Sequence, residues 1–414
     1  MTTSEARARH ARQREDAPHL EAALDAALDA ALDAGVGGVL GSARPHVVEI
    51  VPDPLSDPAP VVGPTDVPTA ASRIGGPRLA RRLVTLDDGH QVGVAVCGRG
   101  VPLVLVHGFT AEGILYAQTL SRLVGMGYKV VAIDVAGHGA TLGLPTGGGS
   151  LSSYSQLLAR VVDVLGIRRA VFMGHSMGGR LVTELAAAEP GRVIAVVLLD
   201  AIVGDTWDRM VGLFRVAPPL LAAVGAVLAL DTLSTVPLFR DPRQARKLAR
   251  LVGPTLIGHG RSPWRMIGPG VSIIRSRPSG RLLDGIAAHG LPLVVIHGDR
   301  DLAVPRPTAR SAAARGRGEL VVVRHATHSW LLKDPEALPA IFAELHKGIL
   351  GSARRAALEA AGVDPERAER DDEEAAFLAP GSLVGRITPP MPGGGGARPL
   401  RRRPRYRWVT SRPR

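Results

Sequence analysis

Apolar residues along this chain cluster in short uninterrupted runs: Leu103 to Val106, Val130 to Ile133, Ala170 to Met173, Val193 to Leu199, Leu293 to Ile296 and Leu320 to Val323. Stretches with helical spacing separate them, around Ala117 to Leu123, Ser152 to Leu165 and Met177 to Glu189. A strand whose residues are all apolar is covered on both faces, so the alternation predicts an α/β fold, a mostly parallel twisted sheet with helices on both faces. A hairpin precedes these runs, Arg82 to Leu86 turning through Asp87-Asp88-Gly89 into Gln91 to Val96.

The alternation fails in three places, and these set the expected domains. Residues 1–78 form an N-terminal extension, with an alanine-rich helix over Glu21 to Ala34 and a linker from Pro52 to Pro68 too proline-dense for helix or central strand. The core occupies 79–203 and resumes over 286–349. Between them, 204–285 reads as an inserted helical cap, with helices over Pro219 to Leu230 and Asp241 to Val252, because a structureless loop of that length is implausible in a compact domain. Residues 350–414 read as a charged extension, helical over Ser352 to Ala361 and disordered beyond about Pro380, ending in an arginine-rich tail.

Composition changes this picture little. The single cysteine, Cys97, excludes an intramolecular disulfide framework, and a cytoplasmic location is the expectation. Met1 to Asp16 mixes basic and acidic residues without the apolar stretch of a secretory signal. The longest apolar run, Val216 to Leu230, is too short to cross a bilayer and contains Pro218-Pro219. Of the net charge of +12, the segment Arg398 to Arg414 supplies eight arginines and no acid. With Tyr406 and Trp408 among them, that tail suits an anionic surface, a membrane or a nucleic acid, so peripheral membrane association is a further expectation.

The candidate chemistry centres on Gly174-His175-Ser176-Met177-Gly178-Gly179, where an apolar strand turns directly into a helix. Gly-x-Ser-x-Gly at a strand-to-helix turn is the spacing of a nucleophile elbow: the serine takes a strained conformation, and a β-carbon at either flanking glycine would collide as strand and helix close. A serine hydroxyl needs a base to take its proton, and histidine titrates in the right range. Asp299 and Asp301 follow the run ending at Ile296, and His325 and His328 follow the run ending at Val323. Asp200 is a third possible acid, directly after Leu199.

The order Ser176, Asp301, His328 resembles serine hydrolases of the α/β-hydrolase fold, in the esterase, lipase and C–C hydrolase group. His107-Gly108-Phe109, the elbow, Gly298-Asp299-Arg300-Asp301 and His328 followed by Asp334-Pro335 carry the resemblance, which spans about Arg82 to Leu345. It implies Ser176 as nucleophile, His328 as general base and Asp301 as the orienting acid, with Asp200 and Asp299 as rivals for the acid and His325 for the base. It further implies an oxyanion hole from the backbone N–H groups of Phe109 and Met177, with His107 and Gly108 supporting that loop. A serine at the elbow argues against relatives that use aspartate there. The apolar cap, including Leu213, Leu220, Val227 and Leu230, suits a small-molecule substrate with an apolar acyl group. No cofactor is implied, and no histidine cluster has metal-ligand spacing. The leading expectation is hydrolysis of an apolar ester; thioester or C–C hydrolysis, perhydrolysis and acyl transfer are alternatives, and a non-catalytic binding module tethered by the tail is a reading of another class.

Overall fold

The computed structural model describes residues 51–52, 79–109, 111, 116–145, 149–217, 219–234, 263–390 and 403–412. The expected helices over Glu21 to Ala34 and Asp241 to Val252 lie outside them. So does the Pro-rich linker, apart from its first residue.

In chain order the elements are β1 (Val51–Pro52), β2 (Ala80–Thr85), β3 (Gln91–Cys97), β4 (Val101–Val106), α1 (Ala117–Gly125), β5 (Tyr128–Ile133), α2 (Leu151–Val164), β6 (Ala170–His175), α3 (Met177–Ala188) and β7 (Val193–Leu199). Then come α4 (Asp205–Val216), α5 (Pro219–Leu233), α6 (Ile267–Ile274), α7 (Gly280–Ala288), β8 (Leu293–Gly298), α8 (Arg306–Arg315) and β9 (Glu319–Val323). The C-terminal part holds α9 (Trp330–Lys333), α10 (Ala337–Leu345), α11 (Ile349–Ala360), α12 (Arg370–Phe377), α13 (Leu383–Ile387) and β10 (Trp408–Ser411).

The strands form one sheet in the order β1-β2-β3-β5-β4-β6-β7-β8-β9-β10. Strands β5, β4, β6, β7, β8 and β9 run parallel, and antiparallel strands finish both edges. Every residue of β4, β6, β7 and β8 is buried. Their side chains divide by alternation. Val104, Val106, Phe172, Val196 and Leu198 enter one core with residues of α2, α3 and α7, while Leu103, Leu105, Val171, Met173 and Val197 enter the other with residues of α1, α10 and α11. The helices start where local chemistry permits: α2 opens on Ser150, whose hydroxyl accepts from the Ser153 N–H while its own N–H reaches the Ser153 hydroxyl, both at 3.3 Å.

Helices α4 to α7 fill the interval between β7 and β8, and the described residues there include no strand. Ser279 fastens the interval, donating its N–H to Asp208 Oδ2 at 2.8 Å and accepting from the Gly204 N–H at 2.8 Å. The boundary expected at 285 falls inside α7, whose Leu283 and Ile286 are buried in the same core as Trp207, Val211, Phe214 and Ile273 of the insertion.

Residues 350–390 differ from the expected charged extension. Leu350, Ala353, Leu358 and Phe377 are buried in one core and Leu378, Leu383 and Val384 in the other, and of the segment's charges Glu373 is buried as well, paired with Arg354 at 2.6 Å. The expected disorder beyond about Pro380 is also corrected: α13 follows, and Trp408–Ser411 pairs antiparallel with β9, Trp408 opposite Val323 and Ser411 opposite Leu320. A Trp-Val-Thr run has strong strand preference, and β9 offers it an edge of backbone donors and acceptors.

Candidate active site

β6 ends at His175 and α3 begins at Met177, leaving Ser176 alone at the turn with φ 52° and ψ −118°. A non-glycine residue held there stores on the order of 1–3 kcal/mol of strain. The neighbouring backbone holds it: the Ser176 N–H donates to Leu199 O at 2.9 Å, and the Ser176 carbonyl accepts from Gly179 and Ile202 at 3.0 and 3.2 Å. A β-carbon on Gly174 would lie 2.3 Å from the Gly178 carbonyl oxygen, and one on Gly178 would lie 2.1 Å from that of Val106. Both glycines are therefore required by close backbone approach.

The loop after β4 runs against the serine, since a β-carbon on Gly108 would meet Ser176 Cβ at 2.8 Å. This puts Phe109, next in the chain, beside the elbow, while Met177 is the first residue of α3, whose N–H has no acceptor within its own helix. His107 braces that loop. Its Nε2 accepts from the Val135 N–H at 2.9 Å, so Nδ1 carries the proton and donates to Gly108 O at 2.8 Å. Burial lowers its pKa, which suits this neutral form.

His328 and Asp301 meet at the same end of the sheet. His328 Nδ1 donates to Asp301 Oδ2 at 2.7 Å, and Asp301 Oδ1 accepts from the Ala303 and Val304 N–H groups at 2.8 and 2.9 Å. Both residues are buried. Burial disfavours the charged imidazole, but Asp301, by charge and hydrogen bond, together with Asp200 and Asp231, outweighs it and raises the His328 pKa to about 9. Burial likewise works against the Asp301 carboxylate, and the charge and hydrogen bond of His328 hold its pKa below the usual value. His328 lies against His175, the residue before Ser176, with ring centroids 4.7 Å apart.

The other candidates have different partners. Asp299 Oδ1 accepts from the His325 N–H at 2.6 Å, which joins the segments following β8 and β9, and His325 is exposed at φ 59°. Asp200 is fully buried: Oδ1 accepts from the Gly298 N–H at 2.8 Å and Oδ2 from Trp330 Nε1 at 2.7 Å. Burial and then the nearby Asp301 charge raise its pKa well above the carboxylate range. His297 Nε2 donates to Val304 O at 3.0 Å, and its Nδ1 lies 3.3 Å from Asp200 Oδ1. Asp200, His297 and Asp301 each present a possible metal-ligating atom within 4.8 Å of the others. Each carboxylate already accepts at least two hydrogen bonds, so the trio reads as a polar network under His328 rather than a metal cradle.

Three residues beyond the expected set belong to the site. His175 Nε2 donates to His328 O at 3.2 Å, leaving Nδ1 to accept from the Tyr116 hydroxyl at 2.9 Å. Burial and then the His328 charge push the His175 pKa down to about 3, keeping it neutral. Asp231 of α5 accepts from the Ser329 N–H at 2.7 Å, latching the insertion to the residue after His328. Its sequence signal is legible in retrospect, because Asp231 is the one charged residue between Arg215 and Arg240. Beside His328 a cavity of about 310 Å³ opens, lined by Val227, Leu230 and Asp231 of α5 and by Arg300, Leu302, Ala303 and Thr327. A larger cavity, about 810 Å³, opens elsewhere, among Arg99, Tyr128, His346 and Arg354, and includes none of these groups.

A model of the alpha/beta hydrolase family matches residues 103–341, more than half of the chain. The chain is 34% identical over 260 residues to a protein of Mycobacterium phage D29 named for non-heme haloperoxidase activity, covering 61% of this chain and 90% of that one. It is 26% identical over 225 residues to a monoacylglycerol lipase of Mycolicibacterium smegmatis, 53% of this chain and 77% of the lipase. In fold it resembles an esterase from Exiguobacterium antarcticum, with TM-score 0.51 and 18% identity over 64% of this chain and 99% of the esterase. Sheet order, elbow and family match agree: the chain belongs to the alpha/beta hydrolase family.

Proposed function

We propose that the protein is a serine hydrolase that cleaves an apolar carboxylic ester through Ser176, His328 and Asp301. The observation that carries this reading is the buried 2.7 Å hydrogen bond between His328 Nδ1 and Asp301 Oδ2, set against the residue preceding a strained serine. Neutral His328 takes the hydroxyl proton on Nε2 as Ser176 Oγ attacks the acyl carbon, and Asp301 holds Nδ1–H and stabilises the imidazolium that forms. The oxyanion faces the Phe109 and Met177 N–H groups, each donor of this kind contributing about 2.7–4 kcal/mol. The tetrahedral intermediate collapses, the alcohol leaves with the proton from Nε2, and water repeats the sequence on the acyl-enzyme. The cavity beside His328, walled by Val227, Leu230, Leu302 and Ala303, suits the acyl chain.

The test is labelling by a fluorophosphonate and turnover of p-nitrophenyl butyrate and octanoate, wild type against Ser176→Ala. Labelling or turnover that persists in the variant overturns the reading. The similarity to the phage protein favours a second acceptor, hydrogen peroxide, which would attack the same acyl-enzyme and release a peracid. Bromide oxidation that needs both a carboxylic acid and peroxide, and is lost in Ser176→Ala, distinguishes it.

A further inference from the structure

His328 must present its imidazole to Ser176, yet it lies between β9 and α9, outside any helix or strand, so no regular ladder fixes its backbone. Asp301 holds the side chain, and the main chain is held separately. The peptide group joining His328 to Ser329 is gripped at both ends. Its carbonyl accepts from His175 Nε2 at 3.2 Å, and its N–H donates to Asp231 Oδ2 at 2.7 Å. The first of these bonds depends on which ring nitrogen of His175 carries the proton.

The His175 ring is neutral, its pKa pushed down to about 3, so one nitrogen donates and the other accepts. A carbonyl oxygen only accepts, and the bond to His328 therefore requires the proton on Nε2. The Tyr116 hydroxyl suits that tautomer by donating to the bare Nδ1 at 2.9 Å, which satisfies both nitrogens and pins the ring at two points. Tyr116 and His175 are both buried, where an unpaired ring nitrogen is costly. Gly108 closes the arrangement from the oxyanion side. A β-carbon there would lie 3.0 Å from His175 Nδ1 and 2.8 Å from Ser176 Cβ, so the loop leading to Phe109 rests on the same imidazole. Phe109, Tyr116, His175 and His328 accordingly line one small cavity.

We propose that His175 and Tyr116 are positioning residues for ester hydrolysis: the tyrosine hydroxyl pins the imidazole of His175, and the Nε2–H of that ring sets the backbone from which His328 reaches Ser176. Both act through His328. The proposal deepens the ester-hydrolase reading and rests on it for the effect on turnover. The protonated nitrogen of His175 is measurable without turnover.

The full-length protein is compared as wild type, Tyr116→Phe, His175→Gln and His175→Leu. Nitrogen NMR of histidine-labelled wild type, with His175 identified by its absence from the His175→Gln spectrum, should show that ring neutral and protonated on Nε2. With p-nitrophenyl butyrate, Tyr116→Phe should lower kcat about two- to ten-fold, as one buried hydrogen bond implies, while KM stays within about two-fold. Gln can donate from its amide to the His328 carbonyl and Leu cannot, so His175→Gln should retain at least about five-fold more kcat than His175→Leu. Circular dichroism checks the fold of each variant; should His175→Leu not fold, the NMR spectrum and Tyr116→Phe, which keeps its ring, decide. A wild-type His175 protonated on Nδ1, an unchanged kcat in Tyr116→Phe, a loss borne by KM, or equal losses in Gln and Leu each overturns the proposal. An Nε2-protonated His175 in a protein whose esterase activity does not need Ser176 overturns the hydrolase reading and leaves the grip on the His328 carbonyl standing.

Discussion

Changing Asp301 to Asn removes one negative charge and little volume, so its effect measures what the carboxylate does for His328. The rise of His328 from the ordinary 6.5 to about 9 corresponds to about 3 kcal/mol in favour of the imidazolium. That is a net figure, reached against burial, so the contribution of the carboxylates exceeds it. Because the imidazolium forms in the transition state, losing about 3 kcal/mol lowers kcat about a hundred-fold. The amide can also favour the wrong imidazole tautomer, which takes the expected loss towards about ten-thousand-fold. The pH profile carries a second signature. In the wild type the acid limb of kcat/KM for p-nitrophenyl butyrate should lie above 7, as high as about 9, because His328 must lose its extra proton before it can act as base. In Asp301→Asn, burial is opposed by much less negative charge, so the limb moves to lower pH while the plateau falls. A loss smaller than ten-fold, or an unmoved acid limb, refutes the assignment of Asp301 as the partner of His328.

Asp200→Asn should cost about 1–3 kcal/mol in urea unfolding, because an amide cannot accept from both Gly298 and Trp330, while kcat falls far less than in Asp301→Asn; an equal fall places the orienting acid at 200 instead. The folded pKa of His328 is raised, so its stabilisation is complete below about pH 6.5 and lost as pH rises towards about 9; comparing the unfolding free energies of wild type and His328→Gln across that window should show an advantage of up to about 3 kcal/mol disappearing, and a pH-independent difference rejects the raised value. Gly178→Ala places its β-carbon 2.1 Å from backbone rather than from a yielding side chain, so a loss of at least about 1–3 kcal/mol is expected in thermal unfolding, with impaired fluorophosphonate labelling; unchanged stability contradicts the close approach. Tyr406→Ala removes an edge-to-face contact with Trp330, so the melting temperature should drop by what about 0.5–1.5 kcal/mol implies, and kcat should fall more than KM changes.

The elbow was legible because sterics write it into the sequence: Gly174 and Gly178 are glycines since backbone carbonyls occupy the space of their β-carbons. The parallel strands were legible for a similar reason, as burial on both faces leaves continuous apolar runs. The choice among Asp200, Asp299 and Asp301 was harder, because all three are carboxylates at strand ends and spacing says nothing about direction. What separates them is the partner each meets: the His325 N–H for Asp299, Trp330 for Asp200 and the imidazole for Asp301. The last strand was misread as disorder because arginines and the Gly393 to Gly396 run dominate local composition, whereas its pairing partner lies more than eighty residues earlier on β9. Non-local pairing of that kind leaves no local pattern to read.

That strand also explains how a tail far from Ser176 in sequence bears on the site. Arg405 and Tyr406 direct their N–H groups to Asp334, and the Tyr406 ring meets Trp330, which lies two residues beyond His328. Trp330 in turn donates to Asp200, whose other oxygen holds the N–H of Gly298, three residues before Asp301. One buried carboxyl thus ties the loop carrying the imidazole to the loop carrying its acid, and their 2.7 Å bond depends on both. Asp231 fixes the N–H of Ser329, so the apolar helix α5 and the segment leading into the C-terminal strand hold the adjacent residues Ser329 and Trp330. A change at Asp231 would therefore act directly on His328, because Asp231 contributes both to the position of that segment and to the charge that raises the histidine's pKa.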